Sequence, residues 1–151
     1  MIFYTDGGAV PNPGFGGFGV YCEEINLKKF MSFGNVTNNQ MELAGVIFAY
    51  NYIKSNNIKK NVKIITDSQY VVNGINTWKK NWKIKNWKDV KNKELWLILD
   101  KLETEMTNIS VEWIKGHDGH SGNEIADSLA TLGVEEKSTN SIEKFINQNI
   151  I

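Results

Sequence analysis

Residues 1–33 read MIFYTDGGAVPNPGFGGFGVYCEEINLKKFMSF and predict three β-strands in immediate succession. The predicted strands are Met1–Thr5, Gly16–Glu24 and Leu27–Phe33. In the second strand Phe18, Val20 and Cys22 occupy every other position, which is the period-two pattern of an extended segment. A short polar connection of hairpin length separates the second strand from the third. The chain therefore opens with three neighbouring strands that we expect to pair antiparallel.

Beyond these strands the pattern alternates between helices and strands. The predicted elements are a helix from about Gln40 to Lys54, a strand at Val62–Thr66, a helix around Lys93–Met106, a strand at Ile109–Ile114 and a helix over Gly122–Leu132. Asn38 and Asn39 offer an N-cap for the first of these helices, and in the last one Ile125, Leu129 and Leu132 form an apolar stripe. This order predicts an α/β fold with a five-stranded mixed sheet, its first three strands antiparallel, flanked by helices.

Length and composition are those of a single globular domain. The chain has 151 residues, 41% of them hydrophobic, and a formal net charge of zero. All 17 basic residues are lysines, so any surface that binds nucleic acid must be a local patch of lysine. The part from residue 134 onward is polar, and we expect a folded domain over residues 1–133 and a loosely attached tail over residues 134–151.

The cellular setting is predicted from what the sequence lacks. Cys22 is the only cysteine, which excludes an intrachain disulfide and favours a reducing compartment. The sequence has no signal-peptide pattern and no run long enough to span a membrane. We expect a soluble, cytoplasmic protein, monomeric by default.

Four acidic residues stand at or near the ends of predicted elements: Asp6, Glu42, Asp67 and Asp127. Asp6 and Asp67 follow strands that would share one carboxyl edge if they run parallel, and ligands of such sheets bind at that edge. Converging carboxylates repel one another unless a cation joins them, so the set predicts a site for a hard metal ion. Any one of them alone could be a helix cap or a dipole partner.

The residues around these acids form four motifs in a fixed order. The motifs are Thr5-Asp6-Gly7-Gly8, Asn38-Asn39-Gln40-Met41-Glu42-Leu43, Thr66-Asp67-Ser68-Gln69-Tyr70-Val71 and Asn123-Glu124-Ile125-Ala126-Asp127. Together they closely resemble the cellular type 1 ribonuclease H family. The resemblance runs from about Ile2 to Leu132, and the family's five-stranded mixed sheet with helices on both faces agrees with the predicted element order.

The resemblance implies an endonuclease that hydrolyses the RNA strand of RNA–DNA hybrids. Asp6, Glu42, Asp67 and Asp127 would be the catalytic carboxylates and would hold two Mg²⁺ ions, or Mn²⁺, on the scissile phosphate. One ion would generate a hydroxide nucleophile, the other would stabilise the leaving oxygen, and the products would carry 5′-phosphate and 3′-hydroxyl ends. The division of the carboxylates between the ions stays open, with Asp6 as the best candidate to bridge both.

Two histidines lie on a glycine-flanked loop before the last helix. The family has a catalytic histidine where His117 stands, and a histidine that titrates near neutrality can move a proton or assist product release. The alternative is an ordinary surface histidine. We interpret His120 as structural.

Two sets of residues are candidates for substrate contact. Amide side chains beside the acids suit ribose 2′-hydroxyls and base edges. The resemblance implies substrate contacts at Asn12, Asn38, Asn39 and Gln69 and a contact to a DNA phosphate at Thr37, although each could instead serve a turn or a cap. The second set resembles the family's basic protrusion, with lysines for phosphates and aromatic rings for sugars or bases; it comprises Trp78, Lys79, Lys80, Trp82, Lys83, Lys85, Trp87 and Lys88. The alternative is a solvated lysine face with tryptophans as local core. Trp96 and Trp113 we assign to the core.

The stretch Gly14–Gly19 matches the dinucleotide pattern G-x-G-x-x-G. That pattern requires a helix to begin at the loop, whereas an alternating strand follows here, so we expect no nucleotide cofactor. We expect these glycines to permit tight turns and close backbone approach near the substrate.

Three other functions compete with hybrid cleavage. DNA-cutting enzymes of the wider superfamily share the acidic cluster, but the amide-rich loops and the basic protrusion favour hybrids. A non-catalytic hybrid-binding module would be indicated by a missing carboxylate, and none is missing. A fragment of a reverse transcriptase is disfavoured because Met1 directly precedes the first strand, and we likewise expect no separate N-terminal hybrid-binding domain.

Overall fold

A five-stranded mixed sheet forms the centre of the protein in the computed structural model, which describes residues 1–149. The elements are β1 (Ile2–Val10), β2 (Gly14–Cys22), β3 (Leu27–Val36), α1 (Asn38–Ser55), β4 (Val62–Thr66), α2 (Gln69–Asn73), a π-helical turn (Gly74–Trp78), α3 (Lys79–Ile84), α4 (Lys93–Glu105), β5 (Ile109–Trp113), α5 (Ser121–Glu135) and α6 (Ile142–Asn149). The strand order is β3-β2-β1-β4-β5. The first three strands pair antiparallel, and β4 is parallel to both β1 and β5. The predicted α/β fold is confirmed.

Strand β1 is longer than the sequence pattern indicated. Its parallel pairing with β4 ends at the pair Thr5–Thr66, but its antiparallel pairing with β2 continues through Gly7 and Gly8. The expectation that Asp6 ends the strand is therefore wrong, because the two glycines extend the ladder with β2. Asp6 and Asp67 nevertheless each follow the last parallel pair, at the same edge of the β1–β4 pairing.

One face of the sheet is covered by α1, which packs on β1, β2 and α4. The helix is buried around most of its circumference, with fully buried side chains that include Met41, Leu43, Ile47 and Ile53. A helix that is apolar on most of its circumference packs in the centre of a fold in this way. Among the helices of residues 1–149, none combines the length and the apolar character that crossing a membrane would need.

The opposite face is covered by α5, which contacts the sheet through small residues. A Cβ atom added to Gly17 would lie 2.6 Å from the Gly133 Cα, and one added to Gly19 would lie 2.4 Å from the Ala126 backbone oxygen. The predicted apolar stripe of α5 is wrong, since Leu132 is 47% exposed and Ala126, Ala130 and Gly133 face inward instead. The glycines of β2 thus permit close backbone approach, as expected, but to α5 rather than to a substrate.

The C-terminal segment does not match the predicted loose tail. Helix α6 buries Ile142 and Phe145, and the Phe145 ring lies 5.9 Å from each of the Phe18 and Phe33 rings. The expectation failed because a few apolar residues in a short polar stretch, with Ile142 and Phe145 three positions apart, are too weak a signal for a packed helix. This helix closes the core beside β3 and α4.

Candidate active site

Three carboxylates from three different elements meet at one edge of the sheet. Asp6 lies in β1, Glu42 in α1, and Asp67 directly after β4. One oxygen of each side chain lies within 4.8 Å of the others. Asp6 and Glu42 are buried and Asp67 is half-buried. The predicted convergence of these acids is therefore present in the fold.

Glu42 reaches Asp6 because α1 packs directly against the backbone of β1. A Cβ atom on Gly7 would lie 2.4 Å from the Met41 carbonyl carbon and 2.6 Å from the Glu42 nitrogen, so only glycine leaves room for the helix at this depth. The helix begins at Asn38, two residues earlier than expected. Its N-cap is Thr37, whose hydroxyl accepts a hydrogen bond from the Gln40 N–H, and Glu42 consequently lies in the second turn.

Asp127 joins the cluster from the sheet's other face. It is half-buried in α5, and its side chain is a hydrogen-bonding neighbour of Asp6. The short distance from α5 to the sheet, set by the glycines of β2, is what brings this carboxyl to Asp6. All four acids predicted from the sequence thus belong to one site, although Asp127 lies outside the tight group of three.

The cluster is electrostatically unfavourable as it stands. Burial, then the charge of Glu42, then hydrogen bonding with Asp127 raise the pKa of Asp6. Burial also raises the pKa of Glu42. Hydrogen bonding with the Asp6 side chain, the Gly7 backbone and the Ser68 side chain offsets part of this rise. Buried like charges favour the protonated form unless a cation is present.

The donor set suits a hard divalent cation. All four side chains offer oxygen, the ligand that Mg²⁺, Mn²⁺ and Ca²⁺ prefer. Within residues 1–149 the buried Oε1 of Glu42 has no hydrogen-bond partner. A buried carboxylate oxygen without a donor is costly, and a cation would satisfy it. The residues present therefore fit a divalent metal ion.

Asp67 is held by groups that follow it in the chain. The Trp113 indole N–H donates to the Asp67 carbonyl oxygen at 3.0 Å. Burial raises the pKa of the Asp67 carboxyl, and hydrogen bonding from Asn123 offsets a small part of this rise. A Cβ atom on Gly116 would lie 2.6 Å from the Asp67 Oδ2. The prediction that Trp113 is core is wrong, since its side chain is 42% exposed and lies against Asp67. The position of Trp113 just before the histidine loop was the one sequence feature that could have indicated a place near the carboxylates.

His117 lies close enough to influence the same carboxylate. It is exposed on the loop between β5 and α5. Burial raises the pKa of Asp67, and the nearby His117 is one of the groups that offset part of this rise. Its backbone is left-handed, with φ of 56°, a conformation that non-glycine residues adopt at a cost and that is common at functional sites. His120 is exposed in the N-cap position of α5 without a side-chain capping bond.

A family model described as RNase H matches residues 1–135. The chain belongs to the ribonuclease H family. A protein named Ribonuclease H from Ruthia magnifica subsp. Calyptogena magnifica is 45% identical over 146 residues, which cover 92% of this chain and 98% of the relative. The resemblance read from the four motifs is thereby confirmed, and so is the expectation of a nuclease enzyme.

Solved structures share the fold of this chain. LC9-RNase H1, a type 1 RNase H with the type 2 active-site motif, is 27% identical with a TM-score of 0.77, covering 91% of this chain and 72% of that one. A foamy viral protease–reverse transcriptase in complex with RNA/DNA hybrid is 26% identical with a TM-score of 0.74, covering 89% of this chain and 20% of that one.

The polar loop residues of this ribonuclease H family member surround the carboxylates but also bond to one another. The Asn12 Oδ1 accepts from the Asn38 N–H at 3.0 Å, and the Asn38 Oδ1 accepts from the Ala9 N–H at 2.7 Å. Asn39 and Gln69 are exposed at the first turns of α1 and α2. The structural alternative therefore holds in part for Asn12 and Asn38, and also for the N-cap Thr37.

The basic segment of Trp78 to Lys93 divides into buried and exposed residues. Four of its predicted contact lysines are exposed: Lys80, Lys83, Lys85 and Lys88. Lys79 is only 8% exposed and is paired with acids of α4, so its assignment as a phosphate contact is wrong. Trp87 is buried as well and Trp82 half-buried, whereas Trp78 keeps 38% of its surface exposed.

Those tryptophans form the local core expected as the alternative. Trp82 packs against Trp78, Trp87 and Trp96, with ring centroids 5.0–6.0 Å apart. Trp96 is fully buried, as predicted. The rings therefore hold the basic segment onto α4. Among the three tryptophans of that segment, only Trp78 keeps substantial exposure.

Proposed function

We propose that this ribonuclease H family member hydrolyses the RNA strand of RNA–DNA hybrids by a two-metal-ion mechanism, leaving 5′-phosphate and 3′-hydroxyl ends. The observation that carries the proposal is the convergence of Asp6, Glu42 and Asp67 to within 4.8 Å at the sheet edge. Asp127 approaches the same point from α5. Such a cluster is unfavourable without a cation, which is the expected signature of a metal-dependent site.

We assign the four carboxylates as the residues that would hold divalent cations, with Mg²⁺ proposed and Mn²⁺ as an alternative. When bound, such ions activate water, stabilise the leaving oxygen and neutralise charge that develops on the phosphate. Asp6 is the proposed shared residue, since Glu42, Asp67 and Asp127 all interact with its side chain. The Asn123 side chain and the Trp113 N–H would keep Asp67 oriented during this chemistry.

His117 is proposed to move a proton at the edge of the site. It is solvent-exposed and near Asp67, so it is accessible both to water and to a phosphate that the carboxylates would hold. A mobile donor of this kind would protonate the leaving 3′-oxygen or assist release of the product.

Selection of a hybrid is proposed to involve two surfaces, the amide side chains beside the carboxylates and the exposed lysines of the basic segment. The amides of Asn39 and Gln69 would read ribose 2′-hydroxyls and base edges, because amide groups both donate and accept hydrogen bonds. The exposed lysines of the basic segment would contact phosphates of the DNA strand, with Lys80 and Lys88 as the clearest cases. A related structure in complex with RNA/DNA hybrid supports this choice of substrate.

The test follows a labelled RNA–DNA hybrid with Mg²⁺, in parallel with duplex DNA, duplex RNA and single strands. We expect cleavage of the hybrid's RNA strand only, abolished by EDTA and by Asp6→Asn. The product ends are identified by whether they accept a phosphate from polynucleotide kinase before or only after phosphatase treatment. Labelling only after phosphatase agrees with 5′-phosphate ends.

Other outcomes would name a different function. Cleavage of duplex DNA would place the chain with DNA-cutting nucleases. Tight binding of the hybrid without cleavage, in either Mg²⁺ or Mn²⁺, would make it a binding module and would remove the catalytic assignments of all four carboxylates.

A further inference from the structure

Lys79 is a buried lysine in the middle of a segment whose other lysines are exposed. Its Nζ lies 2.6 Å from the Glu103 Oε1 and 3.0 Å from the Asp100 Oδ1. Both acids belong to α4, where a spacing of three residues puts them on one helical face. A buried lysine is tolerated when its charge is compensated in this way.

Lys83 continues the same contact one helical turn later. Its Nζ lies 2.9 Å from the Asp100 Oδ1, while its side chain is still 48% exposed. Lys79 and Lys83 are four residues apart, so one face of α3 is directed at the acids of α4. Lys80, next in sequence to Lys79, is exposed on a different face.

The ion pairs and the aromatic cluster both connect α3 to α4. Trp82 lies in α3 between the two lysines, and its ring centroid is 5.0 Å from that of Trp96 in α4. The Trp96 indole N–H in turn donates to the Tyr70 hydroxyl at 2.9 Å, which ties α4 to α2. Helix α2 begins two residues after Asp67. The contacts from α3 to α4, and from α4 to α2, therefore connect α3 to the carboxylate site.

We propose that Lys79, through Glu103 and Asp100, is a positioning residue that fixes the orientation of α3 and thereby sets the affinity for the nucleic acid substrate. It does not itself contact a phosphate. The inference rests on the proposed function, because it assumes that the exposed lysines of the basic segment grip a hybrid. On their own, the acids of α4 would repel a polyanion. The inference gives these acids a role in binding one, because they hold Lys79 in place.

The deciding variant is Glu103→Gln, because two explanations of Lys79 predict opposite signs. If Lys79 bound phosphate directly, loss of a neighbouring acid would free its charge and tighten binding of the hybrid. If Lys79 positions α3, loss of its partner loosens the helix and weakens binding. We expect KM for hybrid cleavage to rise by about threefold, with kcat unchanged, because the Trp96–Tyr70 contact that links α4 to α2 is kept and Glu103 pairs with none of the four carboxylates of the site.

Three variants control this measurement. Glu94→Gln removes an exposed acid from the first turn of the same helix and reports the general effect of charge, which should leave KM unchanged or slightly lower. Lys79→Met should raise KM as Glu103→Gln does, and Lys79→Arg, which keeps the ion pairs, should restore most of the affinity. Circular dichroism melts establish that each variant is folded at the assay temperature.

A fall in KM for Glu103→Gln, or no change, would overturn the inference while the wild-type chain still cleaves hybrids. Failure of the wild-type chain to cleave or bind a hybrid would overturn both this inference and the proposed function. The wild-type reaction run beside each variant separates these two failures.

Discussion

Within residues 1–149, two clusters of buried charge contrast in the signs of the charges that they bring together. At the sheet edge Asp6, Glu42 and Asp67 place charges of one sign within 4.8 Å of one another. Between α3 and α4, Lys79 meets two acids of the opposite sign at 2.6 and 3.0 Å. The first cluster opposes folding and the second compensates its own burial. A buried charge that lacks a counter-ion in its own chain indicates a site for something that the chain must bind.

The largest expected effect comes from removing one charge of the carboxylate cluster. Asp6→Asn should reduce hybrid cleavage by about 10³-fold or more, because Asp6 adjoins the other three acids and its loss removes several kcal/mol of transition-state stabilisation. Single-turnover cleavage of a labelled hybrid in Mg²⁺ measures it. Hybrid binding should change little, and activity within tenfold of wild type would remove Asp6 from the centre of the site.

The next effect comes from the backbone that holds the cluster together. Gly7→Ala would place a Cβ atom 2.4–2.6 Å from the α1 backbone at Met41 and Glu42, and a displacement of roughly an ångström can cost about 10²-fold in rate. We expect kcat to fall by about that factor. Gly8→Ala is the matched control, because its Cβ would meet only the Asn38 Oδ1, at 3.8 Å. Equal losses in the two variants would show that the spacing of α1 from Asp6 is not critical.

A smaller effect distinguishes the two clusters by their response to pH. Since the pKa of Asp6 is raised in the folded protein, the metal-free folded state keeps a proton that the unfolded chain releases above about pH 4. The free energy of unfolding therefore falls as the pH rises from about 4 toward the raised pKa. Without metal at pH 8, Asp6→Asn should be more stable than wild type by about 1 kcal/mol or more, and at pH 4 the difference should shrink.

Asp100 should show the reverse dependence. Its pKa is lowered by Lys83 and Lys79, although burial alone would raise it, so its contribution to stability is present at neutral pH and is lost on acidification. Asp100→Asn should destabilise the protein at pH 7, and this effect should diminish as the pH falls below about 4 and through the lowered pKa of Asp100. Urea unfolding with EDTA at several pH values measures both variants, and parallel pH profiles would contradict the contrast between the clusters.

The smallest effect is expected at a single exposed lysine. Lys80→Met should weaken hybrid binding only a few-fold at low salt, since it removes one solvent-exposed phosphate contact, and it should reduce the salt dependence by about 0.9 in a plot of log K against log salt. Fluorescence anisotropy with a labelled hybrid in the Asp6→Asn background measures it. An unchanged salt slope would place Lys80 outside the interface.

The sheet and the carboxylates could be predicted from the sequence because their signals are local. The alternation of apolar side chains predicts β2. Asp67 is predicted as a site residue because it directly follows the apolar strand Val62–Thr66. The position of Asp127 followed from the motifs. Each of these inferences depends on neighbours in the chain, and the sheet's topology then brings the acids to one edge.

The errors came where a partner distant in sequence decides the environment. Lys79 has the same local surroundings as Lys80, and only the acids of α4, about twenty residues later, separate a buried lysine from an exposed one. Trp113 resembles a core residue in its strand, yet it lies beside Asp67. Phe145 stands in a polar stretch, and its burial depends on Phe18 and Phe33 more than a hundred residues earlier.

Because Gly17 of β2 meets Gly133 of α5 through backbone atoms, this contact limits how the sequence can change over generations. Elsewhere in a core, a larger residue can be accommodated by a smaller one opposite it. Between these two glycines neither partner can become smaller, so no compensating change is available. The location of Asp127 is thus inherited as backbone geometry, and so is the approach of α1 at Gly7. Elsewhere on the α1 side, large buried side chains such as Leu43 and Ile47 can change in paired steps.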